Sequence, residues 1–233
     1  MNIVVSGATK GIGRAIADRF ASQGFDVAVC GRNQSGLDEM LDTYSRSFPN
    51  CKLLAIPADL RSKEDAARFA GKVLAQWGSV DVLVNNAGNF LPGAIHDEPD
   101  GRLEEMIASN LFSAYYLTRA FLPAMLSSGR GHIFNLCSIA SLHAYPNGGS
   151  YGISKFALQG FSKNLREELK TKGIRVTSVI PGATWTDSWA GAGFPEERFI
   201  QANDIALAVW NAWSMSPTAV VEDIVIRPQL GDI

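Results

Sequence analysis

Asn2-Ile3-Val4-Val5-Ser6-Gly7-Ala8-Thr9-Lys10-Gly11-Ile12-Gly13 opens the chain, and its reading decides the fold. A short apolar run rich in β-branched residues predicts a strand over Asn2 to Ser6, and the glycines that follow lead into a segment of helical period. Glycines at 7, 11 and 13 let backbone approach a bound group closely, and the helix that starts there turns its positive end toward the same point. A strand, a glycine loop and a helix N-terminus in this order predict a site for the pyrophosphate of a dinucleotide, with Gly7, Thr9, Lys10, Gly11, Ile12 and Gly13 around it.

Downstream the same alternation repeats. Strands are predicted at Asn2 to Ser6, Asp26 to Cys30, Cys51 to Pro57, Asp81 to Asn85, His132 to Cys137, Arg175 to Ile180 and Ala219 to Ile226. Helices are predicted near Gly11 to Gln23, Ser35 to Ser47, Lys63 to Trp77, Arg102 to Ser127, Tyr151 to Lys172 and Asn203 to Ser214. Short apolar strands alternating with helices are the pattern of a parallel sheet covered on both faces. Gly24, Gly78 and Gly173 stand just past three of the helices as left-handed caps, Ser150 is a candidate N-cap, and Pro123 is a candidate kink. The long irregular stretch from Pro181 to about Asn203 carries Trp185, Trp189 and Phe194, so a substrate lid at about 183–203 is expected.

Composition narrows the function classes. The 233 residues are 46% hydrophobic and 19% charged, consistent with one α/β domain over 1–233. Lys plus Arg number 21 against 23 Asp plus Glu, so the chain lacks the cationic excess that nucleic acid or an anionic membrane would require. No run approaches the roughly 18 apolar residues of a membrane span, and a strand begins at once in place of a leader, so a cytoplasmic location is expected. Cys30, Cys51 and Cys137 are odd in number and lack CxxC spacing, and His96, His132 and His143 show no ligand spacing. Reduced core thiols and no metal are expected.

Chemistry-bearing residues gather at strand ends. Tyr151-Gly152-Ile153-Ser154-Lys155 puts a phenol and an ammonium one helical turn apart on one face. A nearby cation favours the phenolate of a group whose ordinary pKa is about 10. Ser138 ends the fifth strand, where a hydroxyl can donate to an oxygen on which negative charge develops. Asn85-Asn86-Ala87-Gly88 ends the fourth.

Together these motifs resemble the classical short-chain dehydrogenases/reductases over essentially the whole chain. The resemblance implies a three-layer, doubly wound Rossmann fold with strand order 3-2-1-4-5-6-7. It implies an oxidoreductase that passes hydride between a nicotinamide cofactor and a carbonyl or alcohol. In that pattern Tyr151 is the general acid/base, Lys155 holds the nicotinamide ribose and lowers the tyrosine pKa, Ser138 orients the substrate oxygen, and Asn110 is the proton-relay asparagine. Asp59-Leu60 matches the adenine-contacting pair, Asn86, Ala87 and Gly88 match the Asn-Ala-Gly motif, and Pro181, Gly182, Thr184 and Thr186 match the nicotinamide clamp. Two helices, Arg102 to Ser127 and Tyr151 to Lys172, would build a homodimer, often within a homotetramer.

The second strand ends Cys30-Gly31-Arg32-Asn33, without the carboxylate that accepts a ribose 2′-hydroxyl about 20 positions beyond the glycine loop. Arg32 offers a guanidinium fork to a 2′-phosphate, with Lys10 opposite it, so NADP(H) is expected ahead of NAD(H). A non-catalytic dinucleotide-binding sensor of the same fold is the alternative. For the substrate, a carbonyl reductase is expected; the tail resembles sepiapterin-reductase-like members, and 3-oxoacyl reduction stays open.

Overall fold

Seven parallel strands stand in the order β3-β2-β1-β4-β5-β6-β7: β1 Asn2–Ser6, β2 Asp26–Gly31, β3 Leu53–Pro57, β4 Val82–Asn85, β5 Gly131–Leu136, β6 Ile174–Pro181 and β7 Asp223–Ile226. The order is the expected one. The structure is a computed structural model that describes residues 1–189 and 193–233. Helices α1 Gly11–Ser22, α2 Gln34–Ser47, α3 Lys63–Trp77, α4 Arg102–Ile107, α5 Ser113–Ser128, α6 Gly149–Leu169 and α7 Ala202–Trp213 cover the sheet.

The β4 and β5 residues are buried throughout, as strands covered on both faces must be. On one face Ile16 and Phe20 of α1, Leu37 and Met40 of α2, and Ile205 and Val209 of α7 pack on Val5, Val27 and Val84. On the other, Phe69 of α3, Phe121 of α5 and Leu165 of α6 pack on Val4, Leu83 and Ile133. Two apolar layers thus sandwich the sheet, and all seven carboxyl ends open on one edge. Gly24, Gly78 and Gly173 take the left-handed cap positions expected of them, with φ of 80°, 71° and 74°.

Four local expectations are corrected. The helix expected over Arg102 to Ser127 is two helices, α4 and α5, joined by a π turn at Ala108–Phe112; α5 then runs through Pro123 to Ser128. The physical reason lies in Asn110, whose amide is drawn inward by partners on two other segments. Ser150 is not the N-cap of α6, because the helix begins two residues earlier than expected, at Gly149, with Gly148 as the cap. β3 begins at Leu53, since Cys51 closes a turn onto the Phe48 carbonyl at 2.9 Å. The last strand begins at Asp223: Thr177 Oγ1 takes the Val221 carbonyl at 2.5 Å with a side-chain bond where a ladder bond would stand.

The three cysteines are free. Burial pushes the Cys30 thiol up to about 12 and Cys137 up to about 11, so neither is a nucleophile at neutral pH. Among the described residues no helix is long and apolar enough to cross a membrane, and no group of three or more His, Cys, Asp or Glu could hold a metal ion.

Candidate active site

At the end of β1, Ser6 Oγ donates to the Val84 carbonyl at 3.3 Å and accepts from Asn86 N at 2.9 Å and Ala87 N at 3.0 Å. The ends of β1 and β4 are thereby stitched together. Asn86 Nδ2 donates to the carbonyls of Ser6 and Gly7, both at 2.9 Å, and so holds the glycine loop. Gly7 and Gly11 have φ of 63° and 60°, conformations that favour glycine. A Cβ on Gly13 would stand 2.4 Å from Asn86 Nδ2 and 2.6 Å from the Gly7 carbonyl, so only glycine lets α1 start this close to the loop. Lys10, the N-cap of α1, makes no side-chain cap bond, leaving the first-turn N–H groups to an anion in front of them.

A cleft of about 1120 Å³ runs from this loop and Arg32 past Ala87 and Gly88 to Ser138, Tyr151, Lys155 and Pro181–Thr186. Glycines that exclude a Cβ, an uncapped helix start and a cleft of this length fit a dinucleotide. Of the residues expected around the cofactor, Gly7, Lys10, Gly11, Ile12, Arg32, Asn86, Ala87, Gly88, Pro181, Gly182, Thr184 and Thr186 line it.

Four expected cofactor residues do not line it: Gly13, buried where α1 meets the loop, and Thr9, Asp59 and Leu60. Thr9 lies against Gly31 and Gly36, each of which would meet the threonine 3.3 Å from an added Cβ. Asp59 and Leu60, just past β3, do not reach the cleft. Arg61 claims the Asp59 carboxylate and, with Arg32 adding its charge, holds it below the usual carboxylate range, while Leu60 is buried. The Lys10 Nζ pairs with Asp187 at 2.5 Å, on the β6 side of the cleft, where Thr186 packs on Gly11 and brings Asp187 with it. Both partners are about 70% exposed (72% and 71%), so the pair is worth little and exchanges readily.

α6 carries Tyr151 and Lys155 into the other half of the cleft. Burial drives the Tyr151 phenol well above its ordinary value of 10, with the Ser138 hydroxyl working in the opposite sense, so at neutral pH the residue is a protonated acid. Lys155 lies 5.8 Å from the Tyr151 ring centre and donates to the Leu136 carbonyl at 2.8 Å. Burial brings its ammonium down to about 8. Desolvation is the largest influence on the tyrosine here, and the Lys155 ammonium is directed at the Leu136 carbonyl. Ser138 caps a short turn, its Oγ accepting from Ala140 N at 3.2 Å while Ser141 Oγ accepts from Ser138 N at 3.1 Å, and these bonds fix its side chain.

Asn110 is 1% exposed within the π turn. Its Oδ1 accepts from Asn89 N at 2.7 Å, and its Nδ2 donates to the Asn89 carbonyl at 3.0 Å and Ser154 Oγ at 2.9 Å. Ser154 in turn donates to the Tyr151 carbonyl at 2.7 Å. The amide therefore binds the segment after β4 to α6; its carboxamide is fully engaged before any proton relay is considered.

Sequence reasoning missed one wall. Phe90 meets the Tyr151 ring edge-on with centroids 4.8 Å apart, and Trp189 stacks on Phe90 at 6.2 Å. Phe90 directly follows the Asn-Asn-Ala-Gly motif and Asn89, and that position was its only available signal. Arg227 and Asp232, paired at 2.5 Å, also line the cleft. Of the aromatics expected to form a lid, Trp189 lines the cleft, Trp185 packs on Phe199 at 5.1 Å, and Phe194 is exposed. Thr184 forms a parallel bridge with Ile200, which ties the two ends of the stretch together.

Comparison with known proteins agrees with this arrangement. An uncharacterized oxidoreductase of Staphylococcus epidermidis is 32% identical over 225 residues, 97% of this chain and 96% of that protein. An alcohol dehydrogenase from the archaeon Thermococcus sibiricus, solved with 5-hydroxy-NADP, superposes with a TM-score of 0.90 at 27% identity, covering 99% of this chain and 97% of that one. A 7α-hydroxysteroid dehydrogenase complexed with NADH and 7-oxoglycochenodeoxycholic acid gives 0.89 at 28% identity, covering 99% and 93%. Residues 1–194 match the short chain dehydrogenase family model, and the chain belongs to that family of oxidoreductases.

Proposed function

We propose that this chain is an NADP(H)-dependent carbonyl reductase with Tyr151 as its general acid, working as one domain in the cytoplasm. The observation that carries the reading is the half-buried, protonated Tyr151, which lines one cleft with the glycine loop and Ser138. A bound nicotinamide supplies the hydride. The chain's own residues do the rest. Ser138 donates to the substrate oxygen, and Tyr151 delivers a proton to it as charge develops there, a contribution of about 10² to 10⁴ in rate. Lys155, one helical turn on, holds the ribose and places positive charge near the phenolate that remains. Asn110 keeps α6 in register with the segment after β4. A lid at about 183–203, of which residues 190–192 lie outside the described residues, is part of this reading, with Trp189, Phe90 and Tyr145 favouring a carbonyl compound with a flat apolar body. Leu103, Phe112, Tyr115, Ile153 and Phe156 are exposed on α4, the π turn, α5 and α6, and that face pairs two copies into a homodimer or homotetramer.

Both cofactors occur among similar structures, so the choice rests on Arg32. Asn33 Oδ1 accepts from Ser35 N at 3.0 Å as the cap of α2, which leaves Arg32 to face the cleft as the charge at the end of β2. Charge-assisted contacts of ~1.5 to 3 kcal/mol, discounted for solvent, give at least about tenfold preference for NADPH. The test is kcat/KM with both cofactors in wild type and Arg32→Ala. A preference that collapses toward parity in the variant supports the reading, and equal use by wild type contradicts it.

A further inference from the structure

Helix α6 places Tyr151, yet its own sequence does not cap it. Gly148 offers no side chain, and Gly149 sits at φ 37°. The first N–H groups of such a helix are unpaired donors at its positive end. Glu98 supplies what is missing from far up the chain. Ser150 N donates to Glu98 Oε1 at 3.0 Å and to Oε2 at 3.3 Å, and the Ser150 hydroxyl donates to Oε2. The same bonds hold the carboxyl below its ordinary range, so it is an anion at neutral pH.

The approach depends on two glycines. A Cβ on Gly149 would lie 2.3 Å from Glu98 Oε1 and 2.3 Å from the Gly93 carbonyl, and one on Gly93 would lie 2.9 Å from Glu98 Cγ. A second tie runs alongside: Gly93 N donates at 2.9 Å to the carbonyl of Asn147, which holds a left-handed φ of 61°. Segments 93–98 and 147–150 are thus locked together. The first continues back to Phe90, and the second leads directly into Tyr151, whose ring meets Phe90 at 4.8 Å.

We propose that Glu98 is a positioning residue for the reaction: an anionic clamp that caps α6 from a distant segment and fixes Tyr151 against the Phe90 wall. The inference rests on Tyr151 being the proton donor. Misplacing a reacting group by about 1 Å can cost about 10²-fold in rate, whereas the glycine loop and Arg32, where the dinucleotide is held, do not touch this clamp.

The experiment measures kcat with the fastest-reduced member of a panel of diketones and pteridine ketones, and NADPH affinity by fluorescence, in Glu98→Ala, Glu98→Gln, Ser150→Ala and Tyr151→Phe. Glu98→Ala should lose about tenfold to hundredfold in kcat with the NADPH Kd within about twofold of wild type. Glu98→Gln, which keeps an acceptor for Ser150 N, should recover part of the loss, and Ser150→Ala should add little when combined with Glu98→Ala. If Glu98→Ala does not fold, a several-fold kcat loss in Ser150→Ala at unchanged NADPH affinity carries the same conclusion. Unchanged kcat in the Glu98 variants beside a strongly impaired Tyr151→Phe overturns the clamp alone. A Tyr151→Phe variant that keeps its turnover, or a protein that reduces no panel member, overturns the reading beneath it.

Discussion

Tyr151→Phe is expected to lose at least about 10²-fold in turnover while its NADPH affinity stays within about twofold of wild type. The phenyl ring fills the same volume and keeps its edge-on contact with Phe90, so packing survives. Ser138 remains oriented by Ala140 N and Ser141 Oγ, so the oxygen-binding hydroxyl also stays in place. What disappears is the transferable proton, held on the phenol at neutral pH by burial. A loss confined to kcat is the signature of a group that acts in the chemical step. Turnover within about tenfold of wild type would assign the proton to another donor.

Gly13→Ala is expected to damage fold and cofactor binding together. The new methyl would meet Asn86 Nδ2 at 2.4 Å and the Gly7 carbonyl at 2.6 Å, and neither atom has room to withdraw. Asn86 cannot move without giving up its bonds to the Ser6 and Gly7 carbonyls. Overpacking of about 1 to 3 kcal/mol plus two hydrogen bonds worth about 1 kcal/mol each gives a loss of at least about 3 kcal/mol. For a chain of this size that corresponds to a fall in Tm of about 6 to 12 °C, accompanied by loss of NADPH binding. A melting temperature within a degree of wild type would show that the loop yields, and that Gly13 is not held as described.

The two predictions bear on residues that local pattern made legible. Ser6 to Gly13 combines a strand, a glycine spacing and a helix start within a dozen residues, and Tyr151 and Lys155 are neighbours by helical geometry alone. Period and flanking glycines likewise marked the alternation of strands and helices, while the strand order came with the family resemblance, within the few arrangements that right-handed crossovers leave open. Features that depend on distant partners were not legible. The π turn at 108–112 exists because Asn110 finds Asn89 and Ser154, and nothing in the spacing of residues 102–127 marks that. Ser150 has the residue type of an N-cap, but the acceptor at the start of α6 comes from Glu98 on another segment. Lys10 was placed by charge alone, and charge did not reveal that Thr186, packed on Gly11, brings Asp187 to it. Phe90 follows a recognisable motif, yet its facing partners, Tyr151 and Trp189, meet it only through the fold.

The central claim is that this cleft transfers a hydride to a carbonyl carbon. It is tested most directly by incubating the protein with NADPH dideuterated at the nicotinamide C4 and a panel of diketones and pteridine ketones, with the products analysed by mass spectrometry. The account predicts a deuterium on the carbinol carbon of at least one product, formed in step with NADPH consumption and abolished in Tyr151→Phe. Tight NADPH binding with no deuterium in any product would contradict it, and would mark the protein as a dinucleotide-binding sensor built on this fold.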